Sequence, residues 1–291
     1  MNRRVFIQHI GVSVGLSCLG LRTVEAQSIG GETSARILNE KYAFATSQAL
    51  RTKPIAEVMA VLGTSFIGTD YAAGILEQPG DESLVVCLDG LDCVTLCETV
   101  LALARCIKLG HESYDQYSRQ LQRIRYRNGM INGYPSRLHY FSDWIYENDR
   151  SGIVRDITPS LGGKVLTKTI RFMSDHISSY AKLREFPEFF EQIREQEREI
   201  SARKRFYLPK EDLKSKEKEI RDGDLLAFTS SKEGLDIAHT GIAIRAQGEL
   251  KLLHAPQVGQ QVQLTNESLY NYLARKQQMT GLVVARPLEP R

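Results

Sequence analysis

The sequence predicts an α+β fold in which helices come first and strands second. Three observations carry that expectation. Apolar residues recur at helical spacing through the first half of the chain, most clearly at 93, 97, 100, 104 and 107. Short, turn-bounded segments rich in Val, Ile, Leu and Phe crowd its last part. No internal repeat or low-complexity tract breaks this order, and helices followed by strands differ from the alternating units of a parallel α/β sheet.

Residues 1–26 are expected to stand outside the fold as an export signal. Asn2-Arg3-Arg4-Val5-Phe6-Ile7-Gln8 resembles a twin-arginine motif, and the apolar run Ile10 to Leu21 is well short of the roughly 20 residues a membrane span requires. Val24-Glu25-Ala26 sets small residues where a signal peptidase reads, so cleavage after Ala26 and a periplasmic location are expected. A general secretory signal would serve the same end. A lipid anchor at Cys18 is the weaker alternative, because Gly15 stands where such a box wants leucine.

A single domain over residues 27–291 then begins with two helices, Ser34 to Ala49 and Ile55 to Leu62, the second opened by Pro54. Leu84 to Leu88 reads as a strand and Asp89-Gly90-Leu91-Asp92 as a turn. A helix follows from Cys93 to about Lys108, with Asp92 placed to cap its first free N–H groups. From about 109 to 205 the chain reads as a helical and loop-rich insertion, with helices over Tyr114–Ile124 and Glu188–Ile200. The charged stretch Lys210 to Arg221 reads as a solvated surface or connector. Strands are expected at Asp224–Phe228, Gly241–Arg245, Leu250–His254, Gln261–Leu264 and Gly281–Arg286, forming an antiparallel sheet or small open barrel.

Charge and cysteine usage exclude whole classes of function. Removing residues 1–26 takes Arg3, Arg4 and Arg22 from 38 basic residues and Glu25 from 35 acidic ones, which leaves 35 against 34. A chain so nearly neutral lacks the basic excess that phosphate contacts demand, so no nucleic-acid partner is expected. Cys87, Cys93, Cys97 and Cys106 lie on one predicted strand and one helix, too close together for a disulfide framework.

Cys97 and Cys106 fit the role of buried, structural cysteines. Cys93 differs because a thiol at a helix N-terminus is favoured as the thiolate by the exposed N–H groups and partial positive charge there. Downstream, His239-Thr240-Gly241-Ile242 opens one strand and His254 ends the next. If Gln247-Gly248 is a two-residue turn, position 239 faces 256 and 241 faces 254, so the two histidines are diagonal neighbours on one sheet face. One thiol, one base and one orienting group are the parts of a thiol hydrolase: Cys93, His239 and His254. Zinc is the competing use of Cys93, Cys97, His239 and His254, but a pair one helical turn apart on a core-facing stripe is poor spacing for a metal site. No metal and no cofactor are therefore expected.

The run Gly223-Asp224-Leu225-Leu226-Ala227-Phe228, followed by His239-Thr240-Gly241-Ile242 and Leu253-His254-Ala255, resembles the catalytic half of the NlpC-type, papain-like cell-wall hydrolases, and Asp92-Cys93 matches their nucleophile position. Within that superfamily the chain is most similar to a family once labelled a domain of unknown function and related to N-acetylmuramoyl-L-alanine amidases. Leu62 to Thr64, Gly68 to Glu77, Leu84 to Glu98, Arg125 to Gly129 and Ser136 to Tyr140 carry this likeness, which spans nearly the whole mature chain. It implies a papain-like fold and cleavage of the N-acetylmuramoyl-L-alanine amide in peptidoglycan fragments, including anhydro-muropeptides. A D-γ-glutamyl-diamino acid endopeptidase or a non-catalytic peptidoglycan-binding relative are the alternatives it leaves open. The resemblance assigns Tyr71 as an oxyanion donor beside Cys93, with Asp70 where the pattern usually has proline. It further implies that Glu77, Asp92, Tyr134, Arg137, His139, Tyr140 and Asp236 bind substrate, and that the segment from Arg125 to Trp144 walls the cleft.

Overall fold

The computed structural model describes residues 27–28 and 31–291. The expected export signal and the alternative anchor at Cys18 lie outside those residues. Among the described residues no helix is long and apolar enough to cross a membrane.

Helices α1 (Gly31–Ser47) and α2 (Ile55–Thr64) lead into two short parallel pairings, β1 (Gln27–Ser28) with β3 (Val85–Val86) and β2 (Asp70–Tyr71) with β4 (Gly90–Leu91). Then comes α3 (Cys93–Leu109), the central helix of the molecule. Its residues from Thr95 to Ile107 are all buried, because α2, α4 (Tyr114–Arg125) and the main sheet each cover a side. Two charges ride inside it. Glu98 Oε2 accepts from Arg125 Nε at 2.7 Å and Glu98 Oε1 from Trp144 Nε1 at 3.2 Å, while Arg105 Nε donates to Gln120 Oε1 at 3.0 Å. Partners of this kind are what make a buried charge tolerable. Gly110, in the left-handed region at φ 71°, ends the helix.

Next in order come α5 (Phe141–Arg150), β5 (Val154–Asp156), β6 (Lys164–Val165), α6 (Phe172–Asp175), α7 (Ala181–Glu185) and α8 (Pro187–Ala202). This region is less of a separate insertion than the sequence suggests. Tyr117, Leu121 and Ile124 of α4 and Trp144 and Ile145 of α5 join the main core, and β5 and β6 pair with strands of the main sheet. Tyr134, Tyr140, Ile170, Met173, Leu183, Ile193 and Ile200 form a smaller core of their own.

The C-terminal part supplies β7 (Phe206–Pro209), α9 (Lys210–Lys216), β8 (Leu225–Ser230), β9 (Ile237–Ala246), β10 (Glu249–His254), β11 (Gln263–Leu264), α10 (Leu269–Arg275) and β12 (Met279–Pro287). The strands run in the order β11-β10-β9-β8-β12-β7-β6, with β5 also on β12, and their pairings are antiparallel. Alternate residues serve different cores. Leu225, Ala227, Ile242, Ile244, Val283 and Ala285 face α1 to α5, whereas Leu226, Phe228, Ala243, Leu282 and Val284 face α9 and α10. A sheet covered on both faces needs apolar side chains at every position, which explains why these strands read as apolar runs without polar alternation. The stretch expected to be a solvated surface or connector is corrected in part by the same packing: residues Lys210–Lys216 form α9, and Leu213 and Ile220 are fully buried.

Candidate active site

The cap of α3 sets the thiol in place. Asp92 Oδ1 accepts the N–H groups of Val94 at 3.0 Å and Thr95 at 2.7 Å, and Thr95 Oγ1 accepts the Asp92 N–H at 2.8 Å. This reciprocal cap makes Cys93 the first helical residue, and its N–H is one of those without a partner in the helix. From β9, Thr240 Oγ1 donates to the Cys93 carbonyl at 2.7 Å and so ties the strand to the helix.

The hairpin between β9 and β10 supplies the imidazoles. Gln247 at φ 54° and Gly248 at φ 82° form its two-residue turn, and the register pairs Glu249 with Ala246 and Leu253 with Ile242. Continued by one pair, that register sets His254 beside Gly241, as the sequence predicts. A Cβ on Gly241 would lie 2.5 Å from Leu253 O and 3.2 Å from His254 Cβ, so only glycine lets the strand carrying His254 approach this closely. His239 Nε2 comes 2.7 Å from His254 Nδ1, with the rings edge to face at a centroid separation of 5.0 Å. One nitrogen of that contact donates and the other accepts. When His239 Nε2–H donates, its Nδ1 keeps the lone pair a base needs.

Cys93 and His239 line one cleft of about 300 Å³. Burial pushes the Cys93 thiol up to about 11, with the Asp92 charge adding to the rise, against hydrogen bonds from Thr240 and from the Cys93 N–H that favour the thiolate. Burial and the Asp92 charge thus act against the lowering expected from the helix terminus. Burial, then the neighbouring His254 and Lys276 charges, draws His239 down to about 3, and burial with Lys276 draws His254 down to about 4. The resting pair is a neutral thiol and a neutral imidazole. Tyr71, held by its N–H donating to Gln260 O at 2.7 Å, feels the same neighbourhood: burial, Cys93 and Asp92 raise its hydroxyl above the ordinary range.

Of the expected substrate contacts, Glu77, Asp92, Arg137, His139, Tyr140 and Asp236 share the cleft with Cys93 and His239. Several of them also hold partners within the protein. The Asp92 carboxylate is spent on the helix cap. Tyr140 is buried, its hydroxyl donating to Glu197 Oε1 at 2.6 Å and accepting from Met173 N at 2.8 Å. Asp236 Oδ2 accepts the Ser142 N–H at 2.8 Å and pins the start of α5 to the start of β9. Tyr134 is fully buried beneath the wall, its ring 4.3 Å from that of His139. Trp144, expected at the far end of the wall, is wholly inside the main core.

Arg137 and Glu77 remain as groups a ligand meets. The buried guanidinium reaches Glu77 Oε1 at 2.7 Å and Glu82 Oε1 at 3.1 Å, and the Glu77 side chain is 46% exposed. His139 is held neutral by burial and by Arg137, and its Nε2 meets Tyr134 O at 2.8 Å, so that nitrogen donates and Nδ1 is left as an acceptor. Sequence reasoning gave no role to Thr240, or to Phe172, Met173 and Tyr180, which complete the cleft from α6 and the segment after it. Thr240 sits inside the His-Thr-Gly motif and was findable; the others come from remote elements and carry no local signal. A separate apolar cavity of about 270 Å³ between α5, α8 and β7 contains no cysteine or histidine. Among the described residues no group of three His, Cys, Asp or Glu side chains is placed to hold a metal ion.

The profile of the AmiA-like family, described as N-acetylmuramoyl-L-alanine amidase-like, matches residues 61–281. The chain belongs to this N-acetylmuramoyl-L-alanine amidase-like family. Tyr71, Cys93, His239 and His254 all fall inside the matched span. Among solved structures, an N-acetylmuramoyl-L-alanine amidase from Bacteroides uniformis ATCC 8492 is 36% identical over 80% of this chain and 99% of its own, with a TM-score of 0.77. A Bacteroides fragilis protein described as a candidate xylanase is 38% identical over 77% of this chain and 98% of its own, with a TM-score of 0.73. Protein LPG0564 of Legionella pneumophila, at 23% identity over 89% of this chain and 95% of its own and a TM-score of 0.65, shares the fold. No curated protein matches the chain. For this amidase-like chain, family membership supports a hydrolase acting on cell-wall material.

Proposed function

We propose that this amidase-like protein is a papain-like cysteine hydrolase of the NlpC type, exported to the periplasm, that cleaves the amide between N-acetylmuramic acid and L-alanine in peptidoglycan fragments. The observation that carries the reading is the 2.7 Å contact between His239 Nε2 and His254 Nδ1 at the cleft that Cys93 opens into. With His239 Nε2–H donating across that contact, His239 Nδ1 is the atom that takes a proton, and the Cys93 thiol is the acid within that cleft.

In the proposed reaction the Cys93 thiol gives its proton to His239 as the sulfur attacks the lactyl carbonyl. The Cys93 N–H and the Tyr71 hydroxyl donate to the developing oxyanion. His239 then passes its proton to the peptide nitrogen, the C–N bond breaks, and the L-alanyl amine leaves. Water attacks the thioester, again losing a proton to His239, which returns it to the Cys93 sulfur as the muramic acid carboxyl is released. Burial favours the neutral form of both groups before substrate binds.

The description of the B. fragilis relative raises glycoside cleavage as a second reading. That chemistry needs two carboxylates free to flank the bond. Here Glu98 is held by Arg125, Glu77 by Arg137, Asp236 by the Ser142 N–H and Asp92 by its own helix. The site favours amide cleavage.

The test is incubation of defined muropeptides with the protein and with Cys93→Ala, followed by mass spectrometry. Release of peptide with a free L-alanine amino terminus by the parent protein alone supports the reading. A retained muramyl-dipeptide would assign the endopeptidase bond instead, shortened glycan would assign a glycosidase, and no cleavage at all would defeat the enzyme assignment.

A further inference from the structure

Ala238 and His239 stand in the wall between two cavities. On one side is the Cys93 cleft; on the other a larger space of about 730 Å³ is bounded by His254, Gln257, Gln263, Tyr272 and Lys276. An amide held at Cys93 has two halves that diverge from the reacting carbon. The acyl half stays bonded to sulfur, whereas the amine half takes its proton from His239 and so leaves on the imidazole side. A groove with His239 at its waist gives each half a chamber.

The two chambers differ in the charge they offer. In the Cys93 cleft both guanidiniums are already paired, Arg125 with Glu98 and Arg137 with Glu77 and Glu82. In the second chamber Arg275 is held by Glu267, but Lys276 enters no ion pair among the described residues. Its backbone is fixed, since the Lys276 N–H donates to Leu273 O and closes α10. Its ammonium rests over the Tyr272 ring at 5.0 Å from the centroid, and that ring meets His254 edge-on at 5.4 Å. An unpaired cation is thereby parked beside the histidine pair on a support from which it can swing. Its charge is the next cause after burial that lowers His254, and it follows burial and His254 in lowering His239.

We propose that Lys276 anchors a free carboxylate on the peptide half of the substrate, that half occupying the second chamber while the uncharged acyl half lies in the Cys93 cleft. The proposal rests on the amidase reading, in which the amine half is a peptide and the acyl half a sugar ether. Lys276 is a specificity residue in this account and takes no part in the chemistry.

The experiment measures binding without turnover. Calorimetry on Cys93→Ala compares L-alanyl-D-glutamate with its uncharged amide, and repeats both on Cys93→Ala carrying Lys276→Met or Lys276→Arg. The free acid should bind about fivefold tighter than the amide, Lys276→Met should erase that preference while still binding the amide, and Lys276→Arg should restore it. In the catalytically intact protein, Lys276→Met should raise KM for acid-bearing substrate by a similar factor and leave KM for the uncharged amide nearly unchanged. A preference that persists in Lys276→Met, or equal binding of acid and amide by Cys93→Ala itself, overturns the proposal. Muropeptide cleavage reports on the amidase reading separately: hydrolysis without an acid preference sinks the chamber assignment alone. Lys276-dependent binding without hydrolysis supports the chamber and sinks the amidase.

Discussion

At the scale of single residues, the account turns on protons. If His254 orients His239 through the 2.7 Å contact, His254→Leu should lower kcat by roughly a hundredfold or more, whereas His254→Asn, which keeps an acceptor, should lose less. Tyr71→Phe should cost about a hundredfold in kcat with little change in KM if its hydroxyl meets the oxyanion. Asp92→Asn separates two effects that the wild-type carboxylate combines. The amide oxygen can still cap Val94 and Thr95, but the charge that raises the Cys93 thiol is gone, so alkylation of Cys93 at neutral pH should quicken with the melting temperature nearly unchanged. The imidazoles also link stability to pH. Both are held below their ordinary range in the folded protein, to about 3 and about 4, so in the unfolded chain they bind protons first. Their contribution is complete above the ordinary imidazole range and is lost as pH falls through it toward the folded values. Melting temperature should therefore drop on acidification, and drop less steeply in a variant lacking both rings. The placement of Cys93, His239 and His254 about one cleft was legible in the sequence because each sits in a local signal: a cap before Cys93, a His-Thr-Gly motif, a histidine at a strand end. Tyr134, Tyr140 and Trp144 were not, because polar aromatics read as a cleft wall until the packing of α6, α8 and the central helix shows them to be buried.

At the scale of elements, the hairpin and the central helix bear the site. The turn Gln247-Gly248 adopts positive φ at both positions, which fixes the register that brings His254 to His239. Gly241→Ala should force the strands apart against Leu253 O, lowering both the melting temperature and kcat, whereas alanine at the open Gly248 should act through backbone strain alone and spare the site. Glu98→Leu would strand the Arg125 guanidinium inside the protein, and a cost of about 3 to 5 kcal/mol in chemical unfolding is expected. The helix over Cys93–Leu109 and the hairpin were readable because period and turn chemistry are local. The helix over Lys210–Lys216 was not legible because a charged sequence says nothing of the buried positions, Leu213 within it and Ile220 after it, that face the sheet. Likewise β5 and β6 are too short to signal themselves and exist only because strands of the main sheet receive them.

At the scale of the whole molecule, one sheet divides helices of two kinds. The α1 to α5 side supplies the thiol and the α9 to α10 side supports the imidazoles, so the reactive groups meet where the two layers join through Thr240 and the Cys93 carbonyl. The sequence resemblance and family membership agree on an amidase-like chain, and the arrangement of Cys93, His239 and His254 is what a thiol mechanism would use. The central claim is that one thiol among the four described cysteines does the work. Its most direct measurement follows muropeptide hydrolysis while the protein is progressively alkylated, with peptide mapping at each step. The account predicts that activity falls in proportion to modification of Cys93 while Cys97 and Cys106 stay unmodified in the folded protein. Hydrolysis that survives complete modification of Cys93 would contradict it.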